Sequence, residues 1–157
     1  MSLVKAVRAP VAPGFLRAVL LAAAAEPEVA GRLPGPAAAG PPELTVRITG
    51  DRELRRLSRA FLGEDHPTDV LSFPSGHAES GYLGDLALSW PAVSRQAAAA
   101  GHPAEVEAAL LVVHGLLHLL GWDHAAPAEE AAMTSLTLRC LRRAGLQPAS
   151  GRLDLPT

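Results

Sequence analysis

The chain has almost no cysteine. Cys140 stands alone, so no disulfide can form within the chain. A single thiol is typical of a protein from a reducing cytoplasm, where disulfides are rare. Without a second cysteine nearby, Cys140 is also a poor metal ligand, and we expect it on a helix face.

Aromatic residues are scarce as well, at 4% of the chain, so the core must be built mainly from Leu, Val and Ala. The hydrophobic fraction is 48% of 157 residues. These values are typical of one globular domain with a substantial core, and we expect a single domain over 1–157.

No apolar run approaches the roughly 20 residues that span a bilayer. The short run 18–25 follows a few basic residues and faintly resembles a secretory signal, but we predict a helix packed on the domain. The apolar stretch 108–122 contains two histidines, which favours a buried metal-binding helix. We therefore expect a cytoplasmic protein without membrane association.

Lysine is nearly absent (Lys5 is the only one), and the net charge is −2, which argues against a generally basic nucleic-acid-binding surface. Local positive charge comes from two arginine clusters. The first follows Asp51 and the second lies near the end of the last predicted helix: Arg52, Arg55, Arg56 and Arg59; Arg139, Arg142 and Arg143. Either cluster can be a solvated helix face, but the first leads into the candidate site and is a candidate phosphate-binding group.

Hydrophobic periodicity predicts strands followed by helices. The predicted strands are 3–7, 43–48, 70–73 and 82–88, and the predicted helices are 13–25, 51–61, 89–100, 103–120 and 127–144. Residues 26–42 are rich in Pro, Gly and Ala and are predicted to be a loop, and the tail from 148 is predicted to be loose. The pattern favours an α+β fold, with a small mixed β-sheet packed with helices around a central metal-binding helix.

The most informative positive feature is a histidine run. His114, His118 and His124 lie within eleven residues, and a glycine, Gly121, separates the second from the third. Histidines four apart on a helix share a face, and a glycine readily ends the helix so that the chain can turn back. Burying three imidazoles among leucines costs free energy unless their nitrogens find partners, and a metal ion supplies those partners.

Three imidazoles leave one position of a tetrahedral zinc ion open, which is typical of a catalytic site. We therefore predict one Zn²⁺ per chain, bound by His114, His118 and His124. Their catalytic role would be exerted through this metal and a bound water of lowered pKa.

The same spacing occurs in metzincin proteases, which carry a glutamate after the first histidine as general base. Gly115 stands at that place and cannot take a proton, which counts against peptide hydrolysis. Asp123 or another carboxylate remains a possible substitute.

With the glycine included, the run resembles the YbeY family of bacterial endoribonucleases, whose pattern is His-Gly-x-Leu-His-Leu-x-Gly-aromatic-Asp-His. The segment 65–74, Asp-His-Pro-Thr-Asp-Val-Leu-Ser-Phe-Pro, is similar to a second family motif, and Leu-Gly-Asp-Leu at 83–86 is similar to a third. The resemblance extends from about residue 43 to 146.

This resemblance implies a zinc-dependent endoribonuclease that cuts single-stranded RNA. It also implies a role in maturation of the 3′ end of small-subunit ribosomal RNA and in ribosome quality control. The implied partners are ribosomal RNA and the small ribosomal subunit.

Two positions depart from the family pattern. Leu62 stands where the family usually has an arginine, a candidate phosphate-binding group, and Thr137 stands where it tends to have a glutamate. Both changes bear on the strength of RNA cleavage more than on metal binding.

Further candidates surround the histidine run. Asp85 either orients a ligand imidazole or the bound water, or is a strand-end turn residue. Asp123 either supports the third ligand or shapes its turn. Arg55, Arg59 and His66 are candidates for substrate binding. His77 and His102 fall in predicted loops and are expected to be exposed.

Two other classes of function stay open. One is a metal-dependent hydrolase of peptides or small molecules, and the other is a non-catalytic, zinc-stabilised ribosome-associated factor.

Overall fold

The computed structural model describes residues 1–34, 41–62, 70–123 and 125–149. In this part of the chain, the strands form one sheet in the order β1–β2–β4–β3, in which β3 alone is antiparallel to its neighbour. The strands are β1 Ser2–Lys5, β2 Glu43–Thr49, β3 Val70–Pro74 and β4 Tyr82–Ser89. The sheet is therefore mixed, as the sequence predicts.

Six α-helices surround this sheet in the described residues. They are α1 Pro13–Ala24, α2 Pro27–Ala30, α3 Asp51–Leu62, α4 Trp90–Ala100, α5 Ala104–Leu119 and α6 Pro127–Arg143. Ser89 caps α4 as a short polar side chain can, because its hydroxyl accepts a hydrogen bond from the Ala92 N–H.

The helix α5 is the centre of the fold. It packs against β3, β4, α1, α4 and α6, and its residues 107–113 and 115–117 are buried. A helix that is apolar nearly all round can satisfy its surface only when other elements enclose it. The predicted central helix and the α+β class are confirmed.

The two faces of the sheet carry different helices. Leu86 and Leu88 of β4 belong to the main core with α5, whereas Leu71 and Ala87 form a smaller core with Leu54 of α3. Because successive strand residues point to opposite faces, α3 and α5 lie on opposite sides of the sheet.

The predicted loop over 26–42 is wrong in its first part. Residues 27–30 form α2, with Pro27 in its first turn and Val29 fully buried. Proline at a helix start loses no hydrogen bond, so Pro27 begins a helix although the composition of this segment favours a loop. Residues 35–40 lie outside the described part of the chain.

The predicted tail from 148 is partly corrected. The Ala149 N–H donates a hydrogen bond to Nδ1 of His102, so the chain is held at that point. Residues 150–157 lie outside the described residues. Within the described chain, we find no helix whose length and apolar character suffice for a membrane span.

Candidate metal centre

His114 and His118 lie one turn apart on α5 and face each other. Their rings are 4.7 Å apart between centroids at an interplanar angle of 79°, and their Nε2 atoms are 3.1 Å apart. Both residues are half-buried, next to the fully buried Val113 and Leu117. The helical spacing thus brings two nitrogen donors together at the edge of the core.

This separation suits a shared metal ion. Two nitrogens bound to one tetrahedral zinc at about 2.0–2.1 Å each lie about 3.3 Å apart. The observed Nε2–Nε2 distance of 3.1 Å is close to that value. The two described imidazoles therefore fit a shared zinc ion.

A backbone carbonyl orients the second imidazole. Nδ1 of His118 lies 3.0 Å from the carbonyl oxygen of Trp122. A carbonyl can only accept, so Nδ1 carries the proton and Nε2 presents its lone pair. This is the arrangement that a metal-binding histidine requires, because the second ring nitrogen fixes the orientation of the first.

The end of α5 explains how Trp122 reaches His118. The Gly121 N–H bonds to the His118 carbonyl at 3.0 Å, and the Trp122 N–H bonds to the Leu117 carbonyl at 3.0 Å. These two bonds are a Schellman motif, which requires a left-handed residue, and Gly121 has φ +99°. The chain turns back over the last turn of α5, as the sequence predicts from Gly121.

The third expected ligand, His124, lies outside the described residues. Asp123, just before it, is described and exposed. Within the described chain, the imidazoles of His114 and His118 form a pair without a third metal-binding side chain. The three-histidine metal site thus stays a prediction.

Gly115 faces the sheet. A Cβ atom at this position would lie 2.7 Å from Cδ2 of Leu86, which is fully buried. A glutamate here would therefore point into the core and away from solvent. Close packing of α5 on β4 accounts for the glycine at the place where metzincins have their general base.

Asp85 does not lie beside the imidazoles. Its neighbour Leu86 packs against Gly115 of α5, so the Asp85 side chain is on the other face of the sheet. There it accepts a hydrogen bond from the Tyr82 hydroxyl and lines a cavity of about 470 Å³ with Leu57 and Phe61 of α3. This position does not support contact with a ligand imidazole.

The first arginine cluster also belongs to the α3 side of the sheet. Arg55 and Arg59 are exposed on α3 and are separated from α5 by the sheet. The structure does not bring them to the imidazole pair. His66, the other candidate for substrate contact, lies outside the described residues.

The second arginine cluster is largely neutralised. Arg139 and Arg143 donate to the Glu26 carboxylate at 3.1 and 3.2 Å, and Arg139 also pairs with Glu28 at 2.7 Å. These ion pairs join α6 to the start of α2. They therefore give this arginine cluster a structural role. The prediction of a loop over 26–42 does not include these ion pairs.

The expectation of an exposed His102 is wrong. His77 is exposed as expected, but the His102 side chain is only 4% exposed, and Nε2 lies 2.8 Å from Oε1 of the fully buried Glu107. Because Nδ1 accepts from Ala149, Nε2 carries the proton and donates to Glu107. A glutamate inside α5 needs such a partner, and the loop histidine supplies it.

Comparison with known proteins gives the family. The family model described as Endoribonuclease YbeY matches residues 16–145, which is most of the chain. The chain belongs to the YbeY family. The Endoribonuclease YbeY of Roseiflexus sp. (strain RS-1) is 49% identical over 118 residues, which cover 69% of this chain and 74% of that protein. That of Roseiflexus castenholzii is 44% identical over 138 residues, covering 82% and 87%.

A solved structure supports the fold. The solution structure of TM1509 from Thermotoga maritima matches 89% of each chain with a TM-score of 0.54 and 20% identity. At that identity the likeness concerns the fold alone.

The structure shows the surroundings of Thr137, one of the two departures from the YbeY pattern. The Thr137 hydroxyl is buried and donates to the Met133 carbonyl at 2.8 Å within α6, so it has a local partner. The side chain of Leu62 lies outside the described residues. Its identity alone removes a cationic group from the family position.

Sequence reasoning missed Arg32. It follows α2, and its guanidinium carbon lies 3.7 Å from the centroid of the Trp122 ring. Pro27 stands between two glutamates, which is a sequence signal for the start of a helix. A helix predicted from that signal would place Arg32 shortly after its end.

Proposed function

We propose that this YbeY-family protein is a zinc-dependent endoribonuclease that hydrolyses phosphodiester bonds in single-stranded RNA. Its substrate is the 3′ region of small-subunit ribosomal RNA, its partner is the small ribosomal subunit, and it acts in rRNA maturation and ribosome quality control in the cytoplasm. Family membership and the name of the relatives support the reaction class.

The observation that carries the metal dependence is the pair of Nε2 atoms 3.1 Å apart, with Nδ1 of His118 held by the Trp122 carbonyl. His114 and His118, with His124 as third donor, would hold the zinc ion. When bound, zinc supplies a Lewis acid that activates water and polarises a phosphate oxygen.

The side chains of this protein have the remaining tasks. His118 carries its proton on Nδ1, so that Nε2 of the neutral imidazole is the nitrogen that presents its lone pair to the metal. His114 and His118 are half-buried near the end of α5, so the core shields one side of the site from water and the other side is accessible to a substrate. Negative charge that develops on phosphate during cleavage needs a cationic partner, because one metal ion shares that charge best with a second positive group.

The decisive experiment is cleavage of a small-subunit rRNA 3′ precursor by zinc-loaded protein, with and without a chelator. We expect His118→Ala to lose bound zinc and to lower cleavage by about 100-fold or more, since even changes outside the ligand shell cost 10–100-fold. His77→Ala is the matched control, because the His77 ring is exposed in a loop. Zinc content is measured by atomic absorption on the same samples.

The outcomes separate the candidate functions. Cleavage that chelation and His118→Ala both abolish supports the proposal. Retained zinc in the His118→Ala variant would contradict the metal site. Cutting of casein without cutting of RNA would indicate a peptide hydrolase instead, although Gly115 packed on Leu86 leaves no room for the usual base.

A non-catalytic ribosome-associated factor is the second candidate. The observation that favours it is Leu62, which replaces a cationic residue of the family pattern. Such a protein would bind zinc and ribosomal particles and leave the RNA intact.

A further inference from the structure

Arg32 lies over the turn that follows α5. Its guanidinium carbon is 3.7 Å from the Trp122 ring centroid, and Nη1 is 3.7 Å from the position that a Cβ would take at Gly121. Trp122 is the residue whose carbonyl orients His118. We infer that Arg32 binds an RNA phosphate beside the metal centre, an inference that rests on the proposed function.

The contact with Trp122 leaves the N–H donors of Arg32 available. A guanidinium over an indole uses its face for the cation–π contact, and its five N–H donors lie in the plane of the group. Arg32 is exposed, and within the described part of the chain it forms no ion pair with a carboxylate. A planar fork held in this way suits the two oxygens of a phosphate.

Four other described arginines are paired with carboxylates elsewhere. Arg139 and Arg143 pair with Glu26, and Arg95 pairs with Asp51 at 3.0 Å. Arg47 pairs with Glu53 at 2.7 Å on the α3 side of the sheet. Arg32 instead contacts the turn from which the third histidine follows, where a substrate phosphate must come close to the metal.

The rest of the fold fixes the base of Arg32. Val29 is fully buried in the main core, and Glu26 and Glu28 hold the start of α2 to α6. The Arg32 N–H also bonds to the Val29 carbonyl at 3.0 Å. Arg32 is thus a cation held in place by the fold. The family position itself carries Leu62, which has no charge.

The test is binding of a fluorescein-labelled, single-stranded RNA 12-mer to zinc-loaded protein, followed by anisotropy over a series of salt concentrations. We expect Arg32→Gln to weaken binding by about 10-fold, as loss of a charge-assisted contact does. The slope of log K against log salt should fall by about 0.7, the value for one phosphate of a single strand. Arg32→Lys should retain the salt slope and recover part of the affinity.

Arg8→Gln is the matched control, because it removes the same charge from an exposed position at the other end of the sheet. Residue Ala6 bonds to Ile48 near the carboxyl end of β2, whereas Leu119 of α5 lies against Gly84 near the start of β4. Since β2 and β4 are parallel, these are opposite ends. Arg8→Gln should leave the RNA affinity and the salt slope unchanged.

Each result decides the inference. Weaker binding, a lower salt slope and unchanged zinc content in Arg32→Gln support it. Binding equal to wild type, or loss of zinc that accounts for the weaker binding, overturns it, even when the wild-type protein cuts RNA. Wild-type protein that neither binds nor cuts RNA overturns the proposed function and this inference together.

Discussion

Gly115 follows His114 on α5 and faces the sheet. The position that a Cβ would take at Gly115 lies against Leu86. The imidazole of His114, the preceding residue, contacts the imidazole of His118 instead. The same position therefore permits close approach of α5 to β4 and excludes the general base of a metzincin.

We expect Gly115→Ala to destabilise the protein by about 1 kcal/mol, because overpacking of about 1–3 kcal/mol exceeds the gain in helix propensity. Gly14→Ala is the control, since α1 has open space around that position, and it should cause no loss. Urea unfolding gives both values. A Gly115→Ala variant as stable as Gly14→Ala would show that Leu86 can move aside.

The positions of some residues of the site can be predicted from the sequence, and those of others cannot. His114 and His118 follow from their spacing, because four residues bring two side chains onto one helix face. The partner of His118 is a backbone carbonyl, which no side-chain motif encodes. The sequence leaves Asp85 between a role beside the metal ligands and a role at the strand end. The face to which a strand residue points depends on register, and the register shifts between Glu43 and Leu44.

At the level of elements, the C-terminal turn of α5 joins helix termination to the proposed metal site. Gly121 ends the helix, and the next residue supplies the carbonyl that orients His118. A change at Gly121 should therefore affect both stability and zinc affinity.

Gly121→Ala should destabilise the protein by about 1–2 kcal/mol, the cost of a left-handed conformation in a residue with a Cβ. We also expect weaker zinc binding, measured by competition with a chelating dye. Gly145→Ala provides the comparison, because Gly145 follows α6 with φ +78° and open space around it. Similar losses of stability with equal zinc affinities would contradict the link between this turn and the metal site.

Element prediction succeeds where apolar periodicity is long and fails where helices are short. The predicted span 103–120 agrees closely with α5, Ala104–Leu119, because its apolar pattern extends over several turns. α2 has four residues, too few for a period, and its stability depends on Val29 burial and on ion pairs to α6. Those contacts are distant in sequence, so composition alone suggested a loop.

For the whole molecule, the reactivity of the Cys140 thiol measures how often the core opens. The thiol is fully buried on α6, and burial raises its pKa to about 11. It is therefore neutral at pH 8 and shielded from reagents while the core is intact.

We expect Cys140 in the zinc-loaded protein to react with a disulfide reagent at pH 8 only as fast as the domain opens. Removal of zinc by a chelator should accelerate labelling by about 100-fold when zinc was present at 100 times its Kd, because binding stabilises the folded state by about 2.7 kcal/mol. The labelling rate is followed by absorbance. A rate unaffected by chelation would contradict preferential binding of zinc to the folded chain.

The stacking of Arg32 on Trp122 also has an optical consequence. The chain contains two tryptophans, and the other, Trp90, is buried at the start of α4. Trp122 is half-buried, lies under a cation and shares its backbone with the anchor of His118. Its intrinsic emission is thus a reporter located at the site, and comparison of wild-type protein with Trp90→Phe would isolate that signal during zinc or RNA titration.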